Sequence, residues 1–115
     1  MKPILITALS ALILILPTVS FAAGDAAAGK DVFMKKCASC HGQEGEGKEA
    51  IAKAMKVELK HLGSKEVQAK TDAEIRKGIL EGSGKMKPVK DIDAKAADDV
   101  IAFVRTLAGK TGKAK

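Results

Sequence analysis

Residues 37–41 read Cys-Ala-Ser-Cys-His, and no other stretch constrains the chain as tightly. They contain the only two cysteines of the sequence. In an oxidising compartment the simple expectation for such a pair is a disulfide. A bridge between residues three apart closes almost no loop, so it adds little stability through chain entropy. The pair asks for another purpose. A thioredoxin-type dithiol belongs beside a βαβ unit, and no segment alternates convincingly enough for a strand. A tetrahedral zinc site needs four ligands, and Cys37, Cys40 and His41 with the distant His61 make a poor set.

The reading that uses all three side chains is covalent attachment of a haem, which C-x-x-C-H signals. Two thiols three apart at the end of a helix reach two neighbouring vinyl groups on one edge of a porphyrin. The adjacent imidazole swings under the ring and bonds the iron through one nitrogen. Its other nitrogen wants an acceptor, typically a backbone carbonyl, that fixes the tautomer. Composition points the same way. There is no Trp, no Tyr and only three Phe, of which Phe21 lies in a leader. A small domain with two aromatics, Phe33 and Phe103, needs something else in its middle. A haem is a large apolar plate that fills it.

Residues 1–22 read as a signal peptide. Lys2 supplies the positive start, residues 4–16 are apolar apart from Thr7 and Ser10, and Pro17 breaks the helix. Ser20 and Ala22 put small residues where a signal peptidase reads. An apolar run of about 13 residues falls short of the roughly 20 that span a bilayer, and no cysteine near the cleavage point offers a lipid attachment atom. This predicts export to the periplasm, with no stable membrane insertion after cleavage. It leaves residues 23–115 as one small domain, expected to be monomeric.

Removing Lys2 lowers the formal charge from +6 to +5. The cations are interleaved with Glu and Asp, and the only arginines are Arg76 and Arg105. Without aromatics between basic residues to stack on bases, nucleic acid is excluded as a partner.

Three helices are legible, and the chain reads as all-α. The first spans 26–38 with Asp25 as N-cap. It places Gly29, Val32, Phe33, Lys36 and Cys37 on one face. A glycine within a helix costs about 1 kcal/mol against Ala, so Gly29 marks a close approach of another backbone. The second spans 72–81, opened by a Thr71/Glu74 capping box and stopped by Gly82. The third runs from an Asp93 N-cap to about residue 108. Ala97, Val100, Ile101, Val104 and Leu107 form its apolar face, with Phe103 beside them. Residues 42–47 and 82–91 are glycine-rich loops, residues 50–59 are weakly helical, and residues 109–115 form a frayed basic tail.

A second axial ligand for the iron has four candidates: Met34, Met55, His61 and Met86. Met34 sits on the turn facing away from Cys37. Met86 lies in a Gly-bounded loop with Pro88 two residues on, so its backbone is free to reach the iron. Thioether ligation there raises the potential relative to two histidines. His61, followed by Leu62 and Gly63, is the main rival.

Taken together, the mature chain resembles the class I, single-haem cytochromes c of bacteria over nearly its whole length. Cys37, Cys40 and His41 match that family's haem motif. Gly29 and Phe33 look like the paired positions of its N-terminal helix, with Phe103 as the aromatic partner on the C-terminal helix. Met86 in Gly84-Lys85-Met86-Lys87-Pro88 matches the distal methionine loop, although Lys87 stands where the family commonly has Pro. The resemblance implies a small fold whose terminal helices cross and pack around one covalently bound haem c, with His41 and Met86 as iron ligands. It implies an electron carrier rather than an enzyme, its iron cycling between Fe(II) and Fe(III) against redox partner proteins. Lys85, Lys87 and Lys90 around Met86 suit partners with acidic docking surfaces. The alternative is a haem-based ligand sensor or small haem enzyme, in which the sixth ligand is displaced.

Overall fold

The computed structural model describes residues 24–110. The signal peptide expected at 1–22 and the end of the basic tail lie outside them. Six helices follow in order: α1 (Ala26–Lys36), α2 (Ala38–His41), α3 (Glu49–Met55), α4 (Lys65–Gln68), α5 (Asp72–Glu81) and α6 (Ala94–Thr106). Among the described residues there is no strand, only an isolated antiparallel bridge between Ser83 and Met86. No helix there is long and apolar enough to cross a membrane.

The three expected helices form, and their predicted caps hold. Asp25 accepts from the amides of Ala27 and Ala28, Thr71 and Glu74 make the reciprocal capping box, and Asp93 accepts from Ala96 N–H. The first helix differs from its predicted span of 26–38. It stops at Lys36, because Cys37 turns to φ −117°, ψ −35°. The Cys37 amide still donates to Phe33 O (2.8 Å), while its carbonyl accepts from His41 N–H (2.9 Å) and so starts a fresh turn. The haem motif therefore stands on its own short helix, α2, aimed independently of α1.

The core is built where α1 crosses α6. Buried Phe33 on α1 meets buried Phe103 on α6, with ring centroids 5.0 Å apart and planes tilted by 55°, an arrangement favoured by the ring quadrupoles. Around them lie Ala97, Val100, Ile101, Val104 and Leu107 from α6 and its end, with Ala38 and Ile79. Gly29 makes the crossing possible. A Cβ there would sit 1.8 Å from Asp99 O and 2.3 Å from its carbonyl carbon, far inside any tolerable contact.

Asp99 is a buried carboxylate at this crossing, and nothing in the apolar pattern announced it. Its Oδ1 accepts from the Asp25 backbone N–H (2.8 Å) and its Oδ2 from Lys95 Nζ (3.0 Å). One side chain of α6 thus satisfies an amide at the entry to α1, and both its oxygens are paired, as burial demands. Those hydrogen bonds, the Asp25 amide first, hold the Asp99 carboxyl below its ordinary value.

Helix α4 was also not foreseen. Its four residues are too few for periodicity, although Ser64 caps it by accepting from Val67 N–H. Gln68 at its end donates to Leu62 O (2.9 Å) and Val104 O (3.0 Å). Arg105 on α6 donates to Gln68 O (2.9 Å), Lys70 O (2.7 Å) and Asp72 Oδ1 (2.7 Å). This network fastens the start of α5 to the C-terminal half of α6.

Candidate functional site

The backbone around the Cys-Ala-Ser-Cys-His motif is tied down from both sides. Gly42 N–H closes the last turn of α2 on Ala38 O (2.9 Å), and the chain folds back so that Gly47 N–H donates to His41 O (2.6 Å) and Lys48 N–H to Cys40 O (2.9 Å). Both cysteines are free thiols, part-buried. Burial pushes the Cys37 thiol up to about 11, the reverse of the depressed thiolate that a redox dithiol needs. Among the described residues no three His, Cys, Asp or Glu side chains gather to hold a metal ion.

His41 is set up as a ligand rather than a base. Burial lowers its pKa below the usual 6.5, so the imidazole is neutral near pH 7 and keeps the lone pair that a metal takes. Its Nδ1 is buried and has no hydrogen-bond partner among the described residues, so the expected backbone acceptor is not there. An unpaired buried imidazole nitrogen is costly in an all-protein interior. It fits a ring whose other interactions come from a bound group.

Two cavities meet at His41. The larger, about 440 Å³, runs from Cys40 and His41 past Ile51, Met55 and Leu59 to Met86. The smaller, about 200 Å³, is lined by Cys37 and His41, by Phe33, Ile79 and Val104, and again by Met86. His41 and Met86 border both. Apolar side chains stand in both, Ile51, Val57 and Leu59 in the larger beside the charged Glu58, Lys85 and Lys87, and Phe33, Ile79 and Val104 in the smaller, which suits an apolar plate with a metal at its centre.

Met86 reaches these cavities from an ordered turn, not from the irregular loop expected at 82–91. Ser83 and Met86 exchange both backbone hydrogen bonds, each 2.9 Å, and beyond Pro88 the Val89 amide donates to Ile79 O (2.9 Å). Gly82 is obligatory at the base of the turn. It sits at φ +85°, and a Cβ there would meet Met86 O at 2.7 Å and Pro88 Cδ at 3.0 Å. The turn residues were visible in the sequence, but their mutual pairing was not.

The other three ligand candidates are placed differently. His61 borders neither cavity and its Nδ1 accepts from Gly63 N–H (2.9 Å). Met34 lines a separate cleft behind α1, with Phe103 and Leu107. Met55 does line the larger cavity, but from the exposed end of α3, and it is the one exposed large hydrophobic among the described residues, at 37 %.

A small helical domain with a C-x-x-C-H turn, a neutral buried imidazole and a methionine across an apolar cleft defines a c-type haem-binding domain. The family model of cytochrome c matches residues 26–108, and the chain belongs to that family, as a class I member. The family carries covalently attached haem c, one per domain, and its members are electron carriers rather than enzymes. Solved structures that share the fold include the following two. The structure named KustC0563 c-type cytochrome is 23% identical with a TM-score of 0.60, the alignment covering 70% of this chain and 96% of that one. Cytochrome cL from Hyphomicrobium denitrificans is 26% identical with a TM-score of 0.54, covering 72% of this chain and 47% of its own. No curated protein matches the chain in sequence.

Proposed function

We propose that this chain is an exported electron carrier whose single haem is bonded to Cys37 and Cys40 and ligated by His41 and Met86. The observation that carries the reading is that His41 and Met86, remote in sequence, border the same two cavities. When bound, the haem supplies one iron that exchanges a single electron between Fe(II) and Fe(III).

The protein's part in this chemistry is to bind, orient and keep water out. His41 offers a neutral imidazole from a turn anchored at Gly47 and Lys48. Met86 offers a thioether from a turn anchored at Ser83 and Ile79. Together they would hold the haem iron and leave no place for an exogenous ligand, and because each stands on a hydrogen-bonded turn, neither side chain would need to rearrange when an electron moves. Thioether ligation raises the potential relative to two histidines.

Lys85, Lys87 and Lys90 stand on or just after the Met86 turn and are exposed, and Lys36 Nζ joins them by donating to Lys90 O (3.0 Å). This positive surface beside the cavity suits acidic faces on redox partners and steers their approach. Export to the periplasm rests on the Lys2 start, the apolar run and the small residues at Ser20 and Ala22.

Carbon monoxide tests the carrier reading against a ligand sensor or small haem enzyme. With both axial sites filled, adding it to the reduced protein leaves the spectrum unchanged at first. An immediate shift marks an open or readily displaced sixth site and overturns the carrier assignment.

A further inference from the structure

Among the described residues, one hydrogen bond joins the two walls of the larger cavity. One wall is α3 and the segment after it, contributing Ile51, Met55, Val57 and Leu59; the other is the Met86 turn. Lys85, at the tip of that turn, donates from Nζ to the backbone carbonyl of Met55 (2.8 Å), 30 residues away in sequence. The acceptor is available for a local reason. After Met55 the chain turns left-handed at Lys56 (φ +54°), and the next amides bond to Lys53 O and Ala52 O. That leaves the Met55 carbonyl with no backbone donor among the described residues, at the end of a helix where cationic donors are favoured.

We infer that Lys85 is a positioning residue for Met86: its ammonium latches the tip of the methionine turn to the opposite wall. The inference rests on Met86 being the axial ligand. Met86 is bonded to Ser83 through both backbone groups, so the two strands of the turn move as a unit, and the side chain next to Met86 decides whether that unit stays closed. Lys87 and Lys90, the other cations of this surface, have no comparable hydrogen bond from their side chains among the described residues. The function of the latch is to make release of the thioether rare without adding any bond to the iron.

The test uses the holoprotein and neutral imidazole, which binds ferric iron only when the thioether lets go. Lys85→Met keeps the stem and removes the donor, Lys85→Arg restores a donor, and Lys90→Met removes a charge nearby without touching the latch. Imidazole binding to Lys85→Met is expected to be about two- to tenfold faster than to the parent, the range one exposed hydrogen bond is worth. Exchange of the Met86 amide should quicken in step. Lys85→Arg should return both rates towards the parent, and Lys90→Met should leave both at the parent value. Equal rates in Lys85→Met and the parent overturn the latch while leaving Met86 as ligand. Acceleration by Lys90→Met equal to that by Lys85→Met overturns it too, because charge alone then explains the effect. A parent that binds imidazole at once and shows no thioether spectrum overturns the Met86 reading and the latch together.

Discussion

The α1–α6 side of the molecule and the cavity side solve the same problem in opposite ways. Helix α6 buries Ala97, Asp99, Val100, Ile101, Phe103 and Val104, and with Phe33 and Gly29 it closes an interface made largely of protein atoms, only Phe33, Val100 and Val104 of these also bordering the smaller cavity. Residues 48–62, which form the far wall of the larger cavity, contain no buried residue, and neither do residues 82–93 around Met86. Ile51, Val57 and Leu59 are apolar yet only part-covered, and they turn to a space rather than to one another. The first region is a core in the ordinary sense. The second is half of one, complete when an apolar cofactor stands against it.

Removing the cofactor breaks the comparison most severely. In Cys37→Ala/Cys40→Ala, the haem should no longer be covalently held: acid–acetone extraction leaves colour with the parent polypeptide and none with the variant. Amide exchange in residues 49–62 and 82–89 should then approach that of an unfolded chain, while α6 keeps the slowest amides of the molecule. Uniform loss of protection would show that the two regions fold as one unit.

The opposite perturbation strikes the α1–α6 side. Gly29→Val drives a side chain into the Asp99 carbonyl, and the interface must open. The expected loss is about 1–3 kcal/mol, several degrees in melting temperature for a domain of this size, with the haem spectrum unchanged. A melting temperature equal to that of the parent would remove the crossing from the account.

A smaller effect follows from Asp99, whose carboxyl is held below its ordinary 3.8 by the Asp25 amide and Lys95. A depressed pKa in the folded state means stability that is present above the unfolded value and lost as pH falls through the folded one. Asp99→Asn should therefore melt below the parent at neutral pH, and the difference should shrink as the pH drops below 3.8. A difference independent of pH would mean that packing alone, and not the charge, matters at this position.

The smallest expected effect lies at the surface of the cavity side. If Lys85, Lys87 and Lys90 steer acidic partners, the rate of electron transfer with an anionic partner falls as ionic strength rises, because exposed charges are screened beyond about 8–10 Å at physiological salt. A flat salt dependence would reduce these lysines to solvated residues.

The contrast between the regions also explains what could be read in advance. The α1–α6 crossing was legible because it is written in local rules: Asp25 and Asp93 as caps, the helical spacing of Val100, Ile101 and Val104, and a glycine where two backbones touch. Asp99 escaped because its partners, the Asp25 amide and Lys95, are joined to it only by the crossing itself. On the cavity side, the Cys-Ala-Ser-Cys-His motif was plain, since its chemistry resides in five consecutive residues. The break at Cys37, the short α4 and the pairing of Ser83 with Met86 were not, because each is a turn of only a few residues, too short to show a hydrophobic period. Residues 50–59 looked weakly helical for a physical reason. Their apolar side chains answer to a cavity, not to a neighbouring helix face.

Ligation of the iron by Met86 is the claim on which the carrier reading depends, and two variants measured side by side test it most directly. A thioether bound to ferric haem gives a weak charge-transfer band near the red end of the visible spectrum, and two histidines give none. Met86→Ala should abolish that band and let carbon monoxide bind the reduced iron at once, whereas His61→Ala, whose side chain borders neither cavity, should do neither. If His61→Ala is the variant that loses its sixth ligand and opens to carbon monoxide, the Met86 assignment fails, and with it the higher-potential carrier described above.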